Sequence, residues 1–123
     1  GEHEFLSYCK PRQGASTIRS LLAAAWSRPE SGVDAGLAVF EVSADAFCHH
    51  MVRSLVGATL TVGQGRNSEE WPAELLARRS RELAAPLAPA HGLTLEAITY
   101  PEPRRWAEQA QAARVLRTSA ADD

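Results

Sequence analysis

The stretch from Asp45 to Gly63 constrains the fold more than any other part of the chain. Its large apolar residues recur every three to four positions, which predicts one helix with a single buried face. That face would carry Phe47, Met51, Leu55, Ala58 and Val62. Asp45 can cap the start of this helix, and Gly63 and Gly65 can end it. Gly57 lies inside it, where glycine costs about 0.5–1 kcal/mol relative to alanine, so we expect another segment to approach the backbone there.

Polar residues share the opposite face of this predicted helix. His49, Arg53 and Gly57 follow one another at spacings of four, and His50 precedes Arg53 by three. An arginine beside a closely packed gap would be a fixed cation facing an anion. The residues alone leave open whether that anion is a carboxylate of a partner, a phosphate or an acid of the same domain. An ordinary surface salt bridge is the simplest explanation.

Two apolar runs flank a loop at residues 27–36 that is broken by Pro29, Gly32 and Gly36. The run at 37–44 is rich in β-branched and aromatic residues and predicts a strand. The run at 15–26 is ambiguous. Its alanines favour a helix, whereas pairing with 37–44 across the loop would make a long hairpin.

A second helix is predicted from Trp71 to Arg79. Asn67 or Ser68 can serve as its N-cap, and Pro72 fits in its first turn, where a missing N–H costs nothing.

The remainder of the chain contains one more predicted strand. Residues 86–92 form a connector, and residues 93–100 alternate in the manner of a strand that Pro101 stops. Residues 104–123 have helical propensity but few apolar residues, so we expect this tail to fray, at least beyond Arg117.

The composition fits one ordinary globular domain. The 123 residues are 45% hydrophobic and 23% charged, with a formal net charge of −2, which argues against disorder and against a polybasic binder. No apolar run approaches the roughly 18 residues that a membrane span needs, so no membrane association is expected. The two cysteines, Cys9 and Cys48, are too few for a disulfide scaffold and fit a reducing compartment, which predicts a cytoplasmic protein.

Common catalytic and metal-binding patterns do not match. No Cys-x-x-Cys or His-x-x-x-His spacing is present, and His49 and His50, as neighbours on a helix, would point about 100° apart. Cys48 is most simply a small core residue. Phosphate-binding glycine loops and the nucleophile elbow also lack a match, so we expect no metal and no nucleotide cofactor.

Three motifs together resemble one known family. The opening GEHEFLSYCKP, the helix AFCHHMVRSLVG at 46–57 and the strand GLTLEAITYP at 92–101 follow in the order found in the TruA-type tRNA pseudouridine synthases. The last motif is preceded by Ala88, Pro89 and Ala90, as is usual in that family. The resemblance spans residues 1–101 and covers only the C-terminal half of such an enzyme.

The resemblance implies roles for individual residues. These enzymes detach a uracil from its ribose and rejoin it through C5, without metal or cofactor, and an aspartate in an R-T-D-x-G-V-H motif is essential. This sequence has no such motif. Arg53 would be the arginine that pairs with that aspartate, and Leu93 would form an apolar wall of the uracil pocket. His49 and His50 would approach the RNA.

The resemblance also implies a fold and partners. The fold would be an α/β (α+β) half-domain over residues 1–103, with a mostly antiparallel sheet, helices on one face and residues 15–26 as a strand. Residues 104–123 would be a separate tail. The expected partners are tRNA, the missing N-terminal half and, at full length, a second copy in a homodimer. Candidate phosphate contacts are Arg12, Arg19, Arg66, Arg78, Arg79 and Arg81.

Two functions fit these features. In the first, the chain is the C-terminal half of an isomerase that modifies uridines of the tRNA anticodon stem-loop (tRNA positions 38 to 40), and it is inactive alone. In the second, motivated by the missing aspartate, it is a non-catalytic module that binds RNA or docks to a subunit.

Overall fold

The computed structural model describes residues 1–118. Three strands form one antiparallel sheet in the order β1-β2-β3, and three helices follow or flank them, so the α+β class is confirmed. The elements are β1 Glu2–Glu4, β2 Ile18–Ser27, β3 Val39–Ala44, α1 Met51–Gly63, α2 Trp71–Arg78 and α3 Trp106–Ala113, with short 3₁₀ turns at Leu6–Tyr8, Ala90–Gly92 and Pro103–Arg105.

The hairpin of β2 and β3 resolves the ambiguity of residues 15–26 in favour of a strand. Trp26 pairs with Phe40 across the hairpin, and their ring centroids lie 5.2 Å apart. The intervening loop is the predicted one, with Gly32 and Gly36 at positive φ. Cross-strand hydrogen bonds and aromatic pairing therefore override the helical propensity of the alanines.

The core lies where α1, α2 and the turn Leu6–Tyr8 meet. Its buried residues are Phe5, Tyr8, Cys9, Met51, Ala58, Leu75 and Ala85. The Tyr8 hydroxyl donates to the carbonyl of Pro72 at 2.6 Å, and burial raises the pKa of Tyr8 to about 12. The hydroxyl of Ser7 donates to the carbonyl of Leu75 and accepts from the N–H of Ser80 at 3.0 Å. The turn is thus fixed to both ends of α2.

Helix α1 begins six residues later than the sequence predicts. The Asp45 carboxylate accepts from the N–H of Ser20 at 2.9 Å and of Ala46 at 2.8 Å, so it ties a loop to β2 instead of capping a helix. His50 has a left-handed conformation, with φ of 66°, which a helix interior does not admit. Phe47 consequently lies outside the helix and is 40% exposed.

The close approach predicted at Gly57 is confirmed. A Cβ at this position would overlap the carbonyl oxygen of Pro86 and lie 3.1 Å from its carbonyl carbon. The connector after α2 therefore crosses α1 at Gly57. Only glycine, which lacks a Cβ, leaves room for the connector there.

The cysteines correct a second prediction. Cys9 and Cys48 form a disulfide, with their Cα atoms 5.6 Å apart. The two cysteines are 39 residues apart in sequence, so this pairing could not be predicted from local spacing. Only the fold brings the turn after β1 against the loop before α1. Cys48 is therefore not an isolated core thiol.

Helix α2 begins at Trp71 as predicted and ends at Arg78, one residue earlier than predicted, and its cap differs. No side chain caps it, and Ser68 contributes through its backbone carbonyl, which accepts from the N–H of Trp71 at 3.1 Å. Pro72 lies in the first turn as predicted.

The strand predicted at 93–100 is wrong for this chain. No segment within residues 1–118 pairs with it, and Leu95, Ile98 and Tyr100 are 71%, 58% and 69% exposed. A strand needs a neighbour to satisfy its backbone groups, and alternation of side chains cannot supply one.

The tail contains α3, as its propensity predicts. The Trp106 indole donates to the carbonyl of Pro101 at 2.9 Å, and the Arg117 guanidinium pairs with the carboxylates of Asp45 and Glu2. The expected fraying beyond Arg117 falls almost entirely outside the described residues. A domain boundary at residues 103 and 104 stays a prediction.

Candidate functional site

The Arg53 guanidinium donates a hydrogen bond from Nε, and within residues 1–118 its two terminal nitrogens have no partner. It lies half-buried on the first turns of α1, where its Nε donates to the carbonyl of Ala88 at 2.7 Å. The N–H of Ala88 donates back to the carbonyl of Arg53 at 3.2 Å. Within residues 1–118, neither terminal guanidinium nitrogen has an ion-pair or hydrogen-bond partner. A guanidinium anchored in this way presents two parallel donors, which is the geometry that grips a carboxylate or phosphate at two points.

The packing at Gly57 explains why Arg53 has this orientation. The connector that contacts Gly57 continues through Ala88, so the close approach of the two backbones delivers the carbonyl that fixes Arg53 Nε. Gly57 and Arg53 thus contact the same connector: Gly57 makes room for its backbone, and Arg53 donates a hydrogen bond to it.

His49 and His50 differ from the sequence prediction. Both precede α1, and their rings stack with centroids 3.9 Å apart, instead of diverging on a helix. His50 has a left-handed backbone, with φ of 66°, so the two histidines do not have the side-chain spacing of about 100° that a helix would impose. Partial burial and the positive charges of His49, Arg53, Lys10 and Arg81 lower the pKa of His50.

Two basic residues of this group were not singled out together by sequence reasoning. No sequence pattern marks Lys10 as a site residue, and Arg81 is predicted only as a candidate phosphate contact. Lys10 donates its backbone N–H to the carbonyl of His49 at 2.9 Å. The two lie 39 positions apart in sequence, so no local signal relates them.

Leu93 follows the 3₁₀ turn Ala90–Gly92 and donates its backbone N–H to the carbonyl of Ala90 at 3.0 Å. Its side chain is 53% exposed. It lies five residues after Ala88, the residue that anchors Arg53. Leu93 lines neither of the two surface cavities of about 580 and 540 Å³ described within residues 1–118.

The candidate phosphate contacts divide into different environments. Arg19 is half-buried and donates from Nη1 to the carbonyls of Ser16 and Ile18, so it stabilises the start of β2. Arg81 is half-buried, and its positive charge contributes to the lowered pKa of His50. The exposed ones are Arg12, Arg66, Arg78 and Arg79.

Metal ligands do not gather in the described part of the chain: no three of the His, Cys, Asp and Glu residues in 1–118 group as a metal site would. Over the same residues, no helix combines the length and the apolar character needed to cross a membrane.

The comparisons with known proteins agree with the motifs. A sequence model described as tRNA pseudouridine synthase matches residues 1–101. The tRNA pseudouridine synthase A of Frankia casuarinae is 48% identical over 118 residues, which is 95% of this chain and 41% of that protein. Those of Streptomyces griseus and Mycobacterium leprae are 48% and 44% identical, each over 40% of its own length. The chain spans about two-fifths of the length of these curated relatives. By the family match and by these identities, the chain belongs to the tRNA pseudouridine synthase family.

Proposed function

We propose that this chain is the C-terminal half of a tRNA pseudouridine synthase, and that Arg53 holds the catalytic aspartate of the N-terminal half. The reaction would convert uridine to pseudouridine in the anticodon stem-loop of tRNA, without metal or cofactor. A cytoplasmic location would follow from the tRNA substrate alone, because the Cys9–Cys48 disulfide removes the argument from free cysteines. The observation that carries the proposal is the Arg53 guanidinium, which is fixed through Nε and whose two terminal nitrogens have no partner among residues 1–118.

The two aspartates within residues 1–118 do not suit the catalytic role. Asp45 already accepts hydrogen bonds from two backbone N–H groups and pairs with Arg117. Asp34 lies in the exposed hairpin loop. Asp122 and Asp123 lie outside the described residues. The partner carboxylate would therefore come from another segment, for which the relatives' greater length leaves room.

The physical effect of Arg53 on such an aspartate would be twofold. A carboxylate that enters a cleft between two halves loses solvent, which raises its pKa and favours the neutral acid. An adjacent guanidinium restores the ionised form, and two-point binding fixes the orientation of both carboxylate oxygens. The aspartate would thereby be ionised and correctly oriented when it acts on the nucleotide.

The remaining site residues would complete the substrate pocket. Leu93 would cover one face of the uracil, and its present exposure fits a wall that the second half closes. His49 and His50 would contact the RNA. Exposed apolar side chains, among them Leu22, Leu95 and Ile98, would be covered by the N-terminal half, and the complete enzyme would form a homodimer.

The test uses the complete enzyme, in which this chain follows a half that carries the R-T-D-x-G-V-H motif. Arg53→Ala should lower kcat by about 100-fold or more, because a preorganised charge at the reacting centre is lost. Binding of tRNA should change little. Arg53→Lys should also be poor, since one ammonium cannot reproduce the two-point contact. Pseudouridine formation is measured by tritium release from labelled tRNA.

The matched control is Arg114→Ala, which removes an exposed arginine of the C-terminal segment and should leave kcat unchanged. Wild-type turnover in Arg53→Ala would contradict the role of Arg53. This chain alone should form no pseudouridine, and turnover by it would contradict the need for a second half.

A non-catalytic module that binds RNA or docks to a subunit is the alternative, and the absence of the R-T-D-x-G-V-H string from this sequence is the observation that favours it. It predicts tRNA binding by this chain in a cell that produces no longer form of it. Detection of a longer polypeptide with antibodies against this chain decides between the two.

A further inference from the structure

Three segments that are distant in sequence bring four basic residues together beside α1. Lys10 follows the turn Leu6–Tyr8, His49 and His50 precede α1, and Arg81 follows α2. The rings of His49 and His50 stack with their centroids 3.9 Å apart, and burial together with the positive charges of His49, Arg53, Lys10 and Arg81 lowers the pKa of His50. We call these four residues the basic cluster.

The turn Leu6–Tyr8 and the two residues after it contact both of the other segments and so fix this arrangement. The Cys9–Cys48 disulfide joins the residue before Lys10 to the residue before His49. The Lys10 N–H donates to the carbonyl of His49 at 2.9 Å. On the other side, the Ser80 N–H, one residue before Arg81, donates to the Ser7 hydroxyl at 3.0 Å. A covalent bond and two hydrogen bonds thus hold the three segments, so the cluster is built into the fold.

The cluster lacks a negative partner. Within residues 1–118, none of its four side chains makes a salt bridge or a side-chain hydrogen bond. One guanidinium nitrogen of Arg81, Nη1, is buried without an acceptor. An unsatisfied buried donor costs about 1–3 kcal/mol, and like charges held together add repulsion, so such an arrangement calls for an anion.

We propose that Lys10, His49, His50 and Arg81 bind a phosphate group of the RNA backbone, at a site separate from the contact between Arg53 and its aspartate. The identity of the ligand as RNA rests on the proposed function. An ammonium, a guanidinium and imidazole N–H groups supply several donors in different directions, which suits a phosphate with its two free oxygens. Lys10 and His49 are exposed, so a polyanion can reach them from solvent.

The site would fix the register of the RNA. Arg53 follows His50 by three residues, so a phosphate at the basic cluster would hold the RNA backbone next to the reacting centre. Phosphate contacts position a nucleic acid without reading its sequence. The cluster would therefore affect how tightly RNA binds and how strongly that binding depends on salt.

The experiment measures binding of an anticodon stem-loop RNA to the complete enzyme at several salt concentrations. Lys10→Gln and Arg81→Gln should each weaken binding by about tenfold at 0.1 M salt. Each should also reduce the slope of log Kd against log salt by about 1, because one phosphate contact releases about one counterion. Arg114→Gln removes one exposed charge outside the cluster and should leave the slope unchanged.

Three results would overturn the proposal. The slopes of both cluster variants could equal that of Arg114→Gln. Alternatively, the variants could leave RNA binding intact and weaken association of the two halves, in which case the cluster binds a protein carboxylate. A third contrary result is a loss of affinity with an unchanged slope. Lys10 is exposed and its side chain makes no hydrogen bond to the rest of residues 1–118, so Lys10→Gln provides a folded variant even if Arg81→Gln does not.

This test is independent of turnover. A complete enzyme that binds RNA through the cluster and yet forms no pseudouridine contradicts the proposed function alone. An enzyme that forms pseudouridine with wild-type salt dependence in both variants contradicts the phosphate site alone.

Discussion

The carboxylate of Asp45 connects three parts of the chain. It accepts from the N–H of Ser20 on β2 and from its own loop at Ala46, and it pairs with Arg117 from the C-terminal segment. Burial by itself would raise its pKa, but these hydrogen bonds and the positive charge of Arg117 outweigh burial and lower the pKa below its ordinary value of 3.8. The same residue that was predicted to cap a helix therefore holds a loop to the sheet.

Asp45 predicts a pH dependence of stability. Because its pKa is lower in the folded chain than in the unfolded chain, its contribution is fully present above about pH 3.8 and is lost as the pH falls further. Asp45→Asn should lower the free energy of unfolding by about 1 kcal/mol at pH 7, and the difference should shrink as the pH falls below 3.8. Urea unfolding between pH 2 and about pH 7 measures both effects.

Asp34→Asn is the control, because that carboxylate lies in the exposed hairpin loop and accepts no side-chain hydrogen bond within residues 1–118. It should change the free energy of unfolding by less than about 0.5 kcal/mol. A constant difference between Asp45→Asn and wild type down to the lowest pH would contradict the assignment.

At the scale of elements, the approach of the connector to α1 is the contact that organises the site. Gly57 lets the Pro86 carbonyl come close, and two residues later Ala88 meets Arg53. The interior glycine signalled this contact in the sequence, because its cost to a helix needs a compensating reason. The start of α1 gave no comparable signal, since the disulfide and the contact between Lys10 and His49 are long-range.

Two glycines of α1 provide a matched test. Gly57→Ala should destabilise the chain by about 1–3 kcal/mol, because the new methyl group overlaps the carbonyl of Pro86 and must displace the connector. Gly63→Ala adds the same methyl group at the end of the helix, where nothing lies within 4 Å. It should leave stability unchanged or raise it by up to about 1 kcal/mol. Thermal unfolding of both variants measures the difference, and equal stabilities would show that the connector does not press on Gly57.

At the scale of the whole molecule, residues 93–100 have the alternating sequence of a β-strand, but within residues 1–118 no neighbouring strand pairs with them. Their alternating apolar side chains are exposed, and within residues 1–118 their backbone joins no sheet. Under the proposed function, the N-terminal half would supply the neighbouring strand. Such an unpaired apolar segment is also prone to associate with other chains.

Hydrogen exchange tests this interpretation. In the isolated chain, the amides of residues 94–99 should exchange almost as fast as in an unfolded peptide. In the complete enzyme, we expect their exchange to slow by about 100-fold or more, because sheet hydrogen bonds then protect them. Amides of the β2–β3 hairpin, such as those of Ala24 and Val42, should be protected in both samples. Fast exchange of residues 94–99 in both samples would contradict the added strand.

The sequence by itself determined the family, the loop at residues 27–36, the start of α2 at Trp71 and the need for a close contact at Gly57, whereas the strand at 15–26 stayed ambiguous. Each of these depends on local patterns or on ordered motifs, which a linear chain displays directly. Only the tertiary structure decided the Cys9–Cys48 pairing, the shortened start of α1, the exposure of residues 93–100 and the basic cluster around His50. These features depend on which distant segments meet. That outcome follows from packing and hydrogen bonding over the whole chain, and residue spacing does not encode it.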